Sequence, residues 1–164
     1  MPSLPPKNSI LIIDDENVSR ILLAKTLDEY EVITAPDGVA GLQAAILVNP
    51  DLILLDVMMP HMDGFDVCKK LKESAKTADI PVIFITGLSK ISEISRGFQE
   101  GAVDFISKPF EISEVRARIK THLALKNAKE DLKQKNNQLQ LIINEQTISS
   151  QLARKVLTLI NSSP

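Results

Sequence analysis

Short apolar runs alternate along the chain with segments whose apolar residues recur at helical spacing. Five runs are strand candidates, at residues 10–13, 31–35, 52–55, 80–85 and 102–106. Three of them are apolar without alternation, which is typical of parallel strands covered on both faces. Strands that alternate with helices in this way predict an α/β fold with a parallel sheet and right-handed crossovers.

The segments between the strand candidates each place apolar residues on one helix face. Gly101 fits the C-cap of the fourth helix, just before the fifth strand. The predicted faces are Val18, Ile21 and Leu22; Leu42, Ala45 and Ile46; Val67 and Leu71; Ile91, Ile94 and Phe98; and Ile112, Val115 and Ile119.

The pattern changes after about residue 120. No strand candidate follows, and neither Gly nor Pro occurs before Pro164, so we expect the fifth helix to run from about Glu111 to about Glu145. Its apolar residues recur every seven positions and predict a weak parallel homodimer, interrupted at Lys135 and broken at Gln146. The seam consists of Leu125, Leu132 and Leu139 with Ala128 and Ile142, and a second face out of register holds Ile148, Leu152, Val156 and Leu159.

Composition narrows the class of protein. The 164 residues are 44% hydrophobic and 24% charged, which is typical of a globular domain, and the net charge of -2 argues against direct nucleic-acid binding. No apolar run approaches the length of a membrane span. Cys68 is the only cysteine, which suits a reducing cytoplasm. The proline-rich residues 1–7 are expected to be a disordered leader.

Polar side chains follow several of the predicted strands at their carboxyl ends. Asp14 and Asp15 follow the first strand and Asp56 the third, while Thr86 ends the fourth and Lys108 lies just beyond the fifth. Ligands of open parallel sheets bind at this edge. If the first and third strands are neighbours, the three carboxylates converge there.

Three clustered carboxylates repel one another unless a cation joins them. Oxygen ligands without His or Cys nearby suit Mg²⁺. A divalent cation and a lysine around one carboxylate indicate phosphoryl transfer with that carboxylate as nucleophile. Taken singly, an acid after a strand is more often a turn or cap residue, and Asp14 or Asp15 could also cap the first helix. Asp63-Gly64 is interpreted as a simple turn.

In their order and placement, "IIDDE", "LLDVMMPHMDG", "FITG" and "DFISKPF" resemble the receiver domain of bacterial two-component response regulators. The resemblance covers roughly residues 8–125. It implies a flavodoxin-like (βα)5 fold with strand order 2-1-3-4-5 and phosphorylation by a phosphohistidine donor, either a sensor histidine kinase or a phosphotransfer protein. It also implies a protein that modifies only itself and is not an enzyme toward small molecules.

The family's roles carry over position by position. Asp56 would accept the phosphoryl group. Mg²⁺ would be held by Asp15, Asp56 and the backbone carbonyl of Met58, and by Asp14 mainly through water. Thr86 and Lys108 would bind phosphoryl oxygens. Phe105 would turn inward as Thr86 moves, switching the surface of the fourth helix, fifth strand and fifth helix, and Pro109 would follow a cis peptide bond.

Two other functions share some of these features. An Mg²⁺-dependent phosphatase or phosphotransferase of the haloacid dehalogenase type also uses an aspartyl phosphate, but it wants an acid where this chain has Met58. A flavodoxin-like cofactor carrier would want a phosphate-binding loop in place of "DDENVSR". Residues 126–164 form a predicted helical tail, either of a stand-alone regulator or of an excerpt from a longer protein with an output domain.

Overall fold

The computed structural model describes residues 7–87 and 91–162, so residues 1–6 of the predicted leader lie outside the described residues. By contacts between residues, the chain divides into two units, the first ending at Ala124 and the second beginning at Leu125. The elements in chain order are β1 (Ser9–Ile13), α1 (Asn17–Thr26), β2 (Glu31–Ala35), α2 (Gly38–Val48), β3 (Leu52–Leu55), α3 (Gly64–Glu73), β4 (Val82–Thr86), α4 (Ile91–Gln99), β5 (Asp104–Ser107) and α5 (Ile112–Asn161).

The described strands form one parallel sheet in the order β2-β1-β3-β4-β5. This order confirms the predicted flavodoxin-like fold. It makes β1 and β3 neighbours, with Ile13 opposite Leu55 at their carboxyl ends. The residues that follow these two strands therefore start side by side.

Alternate strand residues enter two separate cores, one on each face of the sheet. On one face Leu11, Ile53 and Phe84 pack with side chains of α2 and α3. On the other, Ile12 and Leu54 pack with side chains of α1 and the first turns of α5. All of β3 is buried, and Leu52 through Leu55 are at most 1% exposed. The unalternating "LILL" run is thus explained by cover on both faces.

The last two strands begin later than predicted. Pro81 has no N–H to donate, and β4 begins at Val82 and includes Thr86. Residues 101 and 102 complete the end of α4: Gly101 has a φ of +99° and the Ala102 N–H donates to the Gly97 carbonyl at 3.1 Å. Gly101 therefore has the left-handed conformation predicted for a C-cap, and β5 begins only at Asp104.

The predicted inward face of α1 is wrong. Val18 is 71% exposed, and Ile21 and Leu22 are nearly half exposed. The buried positions are Ser19 and Leu23, followed by Leu27 just beyond the helix. These three lie four residues apart, on the stripe beside the more apolar one. Hydrophobicity alone therefore predicted the wrong face, because a small serine takes one of the buried positions.

The predicted end of α5 is also wrong, because the helix continues from Glu145 to Asn161. Gln146 breaks the seven-residue repeat, but a polar side chain on a helix surface does not interrupt backbone hydrogen bonding. Neither Gly nor Pro occurs before Pro164 to stop the helix. Every described residue from 127 onward is exposed.

Candidate functional site

The carboxyl ends of β1 and β3 bring two aspartates together. The Asp56 N–H donates to the Ile13 carbonyl at 2.8 Å, and the Asp14 N–H donates to the Ala35 carbonyl at 3.2 Å. The sheet's hydrogen bonding thus holds the backbone of both residues. Asp14 and Asp56 are only 2% and 6% exposed, whereas Asp15 is exposed.

The loop after Asp56 returns so closely that it requires a glycine. A Cβ on Gly64 would lie 2.3 Å from the Asp56 carbonyl oxygen, nearer than any side chain can approach. The Gly64 N–H also donates to the Val57 carbonyl at 2.9 Å. Asp63 does more than form the expected simple turn: it is the N-cap of α3 and accepts the Asp66 N–H at 2.8 Å.

Asp14, Asp15 and Asp56 each offer a carboxylate oxygen, and these oxygens lie within 4.8 Å of one another. Three converging carboxylates, two of them buried, suit a hard divalent cation such as Mg²⁺. Met58 donates its N–H to Asp56 Oδ1 at 3.1 Å, and its side chain is 62% exposed. The role of its carbonyl as a metal ligand stays a prediction.

Lys108 lies at the centre of this acidic site. Its Nζ is 2.8 Å from Asp14 Oδ2, 3.2 Å from Asp56 Oδ2 and 3.7 Å from Glu16 Oε2. Burial alone would lower the pKa of Lys108, but the hydrogen bond to Asp14 and the charge of Asp56 outweigh it and raise the pKa. Lys108 is therefore a persistent cation. The bond between Lys108 and Pro109 is cis, as the family resemblance implied.

Opposing effects set the ionisation of Asp56. Burial raises its pKa above the ordinary value, and the nearby charge of Asp14 acts in the same direction. The charge of Lys108 and the Met58 N–H work the other way but do not cancel the burial. Asp56 is thus a poorly solvated carboxylate beside one cation, and a second cation would favour its ionised form.

Thr86 and Phe105 occupy the last two strands. Thr86 is fully buried, and its hydroxyl has no hydrogen-bond partner among the described residues. Phe105 is half-buried and meets the Phe84 ring edge-on, with centroids 6.4 Å apart, and Phe84 meets Phe65 in the same way at 5.5 Å. The Lys108 backbone N–H donates to the Thr86 carbonyl at 2.9 Å. No described hydrogen bond joins the Thr86 hydroxyl to Asp14, Asp15 or Asp56, so its role toward a phosphoryl group stays a prediction.

Glu16 was missed at the sequence level. It is the N-cap residue of α1, and its side chain makes no capping hydrogen bond there. Its N–H donates to Asp14 Oδ1 at 2.8 Å instead. The third acid of "DDE" was the available signal, but only the fold shows that it faces Lys108.

Comparison with known proteins identifies the family. The family model of the response regulator receiver domain matches residues 10–120. The chain belongs to the response regulator receiver family. Receiver domains are signalling modules, and every sequence motif that carried the resemblance lies within the matched region.

Individual relatives place the receiver domain in several kinds of protein. It is 43% identical over 116 residues to the DNA-binding dual master transcriptional regulator RpaA of Synechocystis, covering 70% of this chain and 48% of RpaA. It is 44% identical over 128 residues to the response regulator PleD of Caulobacter vibrioides, covering 77% of this chain and 28% of PleD. The chain thus spans at most about half the length of these relatives.

Solved structures confirm the fold. The chemotaxis protein CheY4 of Vibrio cholerae superposes with a TM-score of 0.67 at 28% identity, covering 70% of this chain and 98% of CheY4. A putative response regulator of Chloroflexus aurantiacus gives a TM-score of 0.69 at 34% identity, covering 73% of this chain and 99% of its own. Among the described residues, no helix has both the length and the apolar character to cross a membrane.

Proposed function

We propose that this receiver domain accepts a phosphoryl group on Asp56 from a phosphohistidine donor, in an Mg²⁺-dependent reaction, and changes its surface in response. The observation that carries the proposal is the position of Asp56 beside Asp14, Asp15 and Lys108. A buried carboxylate next to a persistent cation and a cation-binding cluster is suited to receive an anionic group.

Each side chain has a distinct task in the transfer. An Asp56 carboxylate oxygen attacks phosphorus as the bond from phosphorus to the donor histidine nitrogen breaks, and that nitrogen keeps the bonding electron pair. Lys108 pairs with a phosphoryl oxygen, and the Thr86 hydroxyl donates to another. Asp14, Asp15 and Asp56 would hold Mg²⁺, with the Met58 carbonyl, and the bound ion would neutralise part of the transferred group's charge.

Phosphoryl uptake by the intact protein tests this function. The chain should gain the mass of one phosphoryl group when it is incubated with acetyl phosphate and Mg²⁺. Asp56→Asn should abolish the gain, and Asp15→Ala should weaken both the gain and Mg²⁺ binding. Asp63→Asn is a matched control, because it makes the same substitution at an aspartate that caps α3 and is not part of the carboxylate cluster. It should leave phosphoryl uptake unchanged. Undiminished uptake by Asp56→Asn would contradict the proposal.

The response is proposed to pass from Thr86 to Phe105 and then to the surface of α4, β5 and α5. The Thr86 hydroxyl has no hydrogen-bond partner among residues 7–87 and 91–162, and this supports the step because the hydroxyl can donate to a new oxygen acceptor. The half-buried Phe105 ring meets Phe84 edge-on, so a movement of Phe105 would change the packing between β4 and β5. With beryllofluoride as a phosphoryl mimic, Thr86→Ala should show much smaller amide NMR shifts around Phe105 than the unaltered protein.

The tail is proposed to form a parallel homodimer through Leu125, Leu132, Leu139 and Ile142. Leu132, Leu139 and Ile142 are 51–60% exposed on a continuous helix, as a coiled-coil seam is before pairing. Sedimentation of the full chain beside a version that ends at Lys126 tests this. Monomers in both cases at high micromolar concentration, with and without beryllofluoride, would exclude the dimer.

The partners follow from the same proposal. A sensor histidine kinase or phosphotransfer protein would supply the phosphoryl group, and the protein would act in the cytoplasm without contacting nucleic acid or membrane itself. A match to histidine kinase P4 of Formosa agariphila, 35% identical over 161 residues, covers 96% of this chain, and so extends into the tail, but only 12% of that kinase. Incubation with phosphorylated candidate kinases would identify a donor.

A further inference from the structure

Glu16 is held beside the acidic site by its backbone. Its N–H donates to Asp14 Oδ1 at 2.8 Å, and its Oε2 lies 3.7 Å from Lys108 Nζ. Its side chain is 61% exposed, so the surrounding packing does not force it toward Lys108. The contact is therefore electrostatic. Lys108 already has two acidic partners, and the exposed Glu16 carboxylate is a third.

The charges around Lys108 are unbalanced. Three carboxylates, of Asp14, Asp56 and Glu16, share its ammonium group. The nearest other cation on α1, Arg20, donates to the Asp14 backbone carbonyl at 2.6 Å and to the Asn17 side chain at 3.1 Å. Arg20 thus reaches the backbone of this segment and makes no described ion pair with its carboxylates. Glu16 adds negative charge where an anionic phosphoryl donor must arrive.

We propose that Glu16 is a positioning residue that restrains Lys108 in the unphosphorylated protein and so slows phosphoryl transfer to Asp56. The proposal rests on the function proposed above. A phosphoryl group on Asp56 must compete with Glu16 for the Lys108 ammonium. The same carboxylate adds to the negative potential that attracts a divalent cation. Glu16 therefore strengthens Mg²⁺ binding and weakens phosphoryl acceptance, two effects of opposite sign.

Removing the charge of Glu16 should separate these effects. In Glu16→Gln we expect Mg²⁺ alone, titrated by calorimetry, to bind about two- to five-fold more weakly, the range that exposed charge pairs produce. At saturating Mg²⁺, phosphorylation by acetyl phosphate should become faster by a similar factor. In that reaction an Asp56 oxygen bonds to phosphorus while acetate leaves with the electron pair of the broken P–O bond.

Two further variants test whether the effect comes from the charge of Glu16 at this position. Glu16→Asp keeps the charge, and it should restore both quantities most of the way to those of the unaltered protein. Glu31→Gln removes one exposed negative charge at the amino end of β2, opposite the edge that holds the site, and should change neither. The difference between Glu16→Gln and the unaltered protein should shrink as ionic strength rises, because exposed charges are screened by salt.

The possible outcomes are distinct. Slower phosphorylation by Glu16→Gln, or rates equal to those of Glu31→Gln, would overturn the proposal. So would changes that salt does not reduce, because these would indicate a capping effect on α1. If the unaltered protein took up no phosphoryl group at all, the proposed function itself would fail; the Mg²⁺ titration of Glu16→Gln would still test the charge of Glu16.

Discussion

The chain uses leucine in two opposite ways. In β3, Leu52, Leu54 and Leu55 are at most 1% exposed, between two layers of helix. In the part of α5 beyond Ala124, Leu132 and Leu139 are 60% and 57% exposed. The first group stabilises the receiver unit through burial. The second has nothing in the described part of the chain to cover it, so its effect depends on a partner.

This contrast separates folding from association. Burying a leucine fully is worth about 1.5–3 kcal/mol, and only the first group obtains that stabilisation within one chain. An isolated helix in water relies on weak intrinsic propensity and needs packing for most of its stability. The stability of the receiver unit should therefore be independent of concentration, whereas the helicity of the tail should rise with it.

The largest effect is expected from a leucine substitution in the core. Leu54→Ala should lower the free energy of unfolding by about 2–5 kcal/mol, because it leaves a cavity between β3 and the side chains of α1 and α5. Leu139→Ala removes the same atoms from an exposed position and should leave the main unfolding transition unchanged. Urea denaturation followed by circular dichroism measures both. A comparable loss in Leu139→Ala that does not depend on protein concentration would show that the tail leucine is packed within the folded chain.

A substitution on the seam should change association without changing the stability of the receiver unit. Lys135 occupies a seam position, and replacing it with leucine should tighten the proposed homodimer about tenfold, since one more buried leucine on each helix adds apolar contact. Analytical ultracentrifugation gives the dissociation constant. Lys133→Leu, one helix face away, is the control and should leave it unchanged. Equal effects of the two substitutions would argue against a specific seam.

Removing a charge should change stability in the receiver unit, where the charge is buried, and should have no effect in the exposed tail. Burial raises the pKa of Asp56, so the ionised form destabilises the fold. That shift adds stability below the ordinary aspartate pKa, and this stability is lost as pH rises through the raised value. Without Mg²⁺ at neutral pH, Asp56→Asn should therefore raise the melting temperature by a few degrees. The gain should diminish toward pH 4, and the exposed tail variant Glu145→Gln should show none.

The smallest effect is expected at Asp104. Burial alone would raise its pKa, but hydrogen bonds from Arg118 at 2.7 Å and His122 at 2.9 Å outweigh it and lower the pKa. The resulting stability is present above the ordinary aspartate pKa and is lost as pH falls through the lowered value. Asp104→Asn should cost about 0.5–1 kcal/mol at pH 7 and less near pH 3.

Urea midpoints at the two pH values test the Asp104 prediction. The tail variant Asp131→Asn provides the baseline for a charge outside the receiver unit. An Asp104→Asn midpoint that falls equally at both pH values would assign its effect to packing, not to the ion pairs.

Much of this architecture was predictable, because the apolar runs mark the buried strands and the acidic residues directly follow two of them. The run from Leu52 to Leu55 identified a strand covered on both faces. The acids that follow β1 and β3 became a cluster once those strands were neighbours. Here local pattern and global fold agree, and a single sequence is then sufficient.

The errors arose where packing and hydrophobicity disagree. Val18, Ile21 and Leu22 are the apolar face of α1, yet Ser19 and Leu23 are buried. The orientation of α1 on the sheet decides which face is buried, and the spacing of apolar residues does not give that orientation. Glu16 was missed for a related reason. Its partner Lys108 is 92 positions away, and only the strand order makes them neighbours.

Cys68 is a natural probe for opening of the receiver unit. It is fully buried in α3, its Sγ lies 3.4 Å from the Glu100 carbonyl oxygen, and burial raises the pKa of its thiol to about 11. A thiol-reactive reagent can therefore reach it only when the structure around α3 opens, so the alkylation rate of the unaltered protein reports that opening. Because the chain has no other cysteine, every modified molecule records the same event.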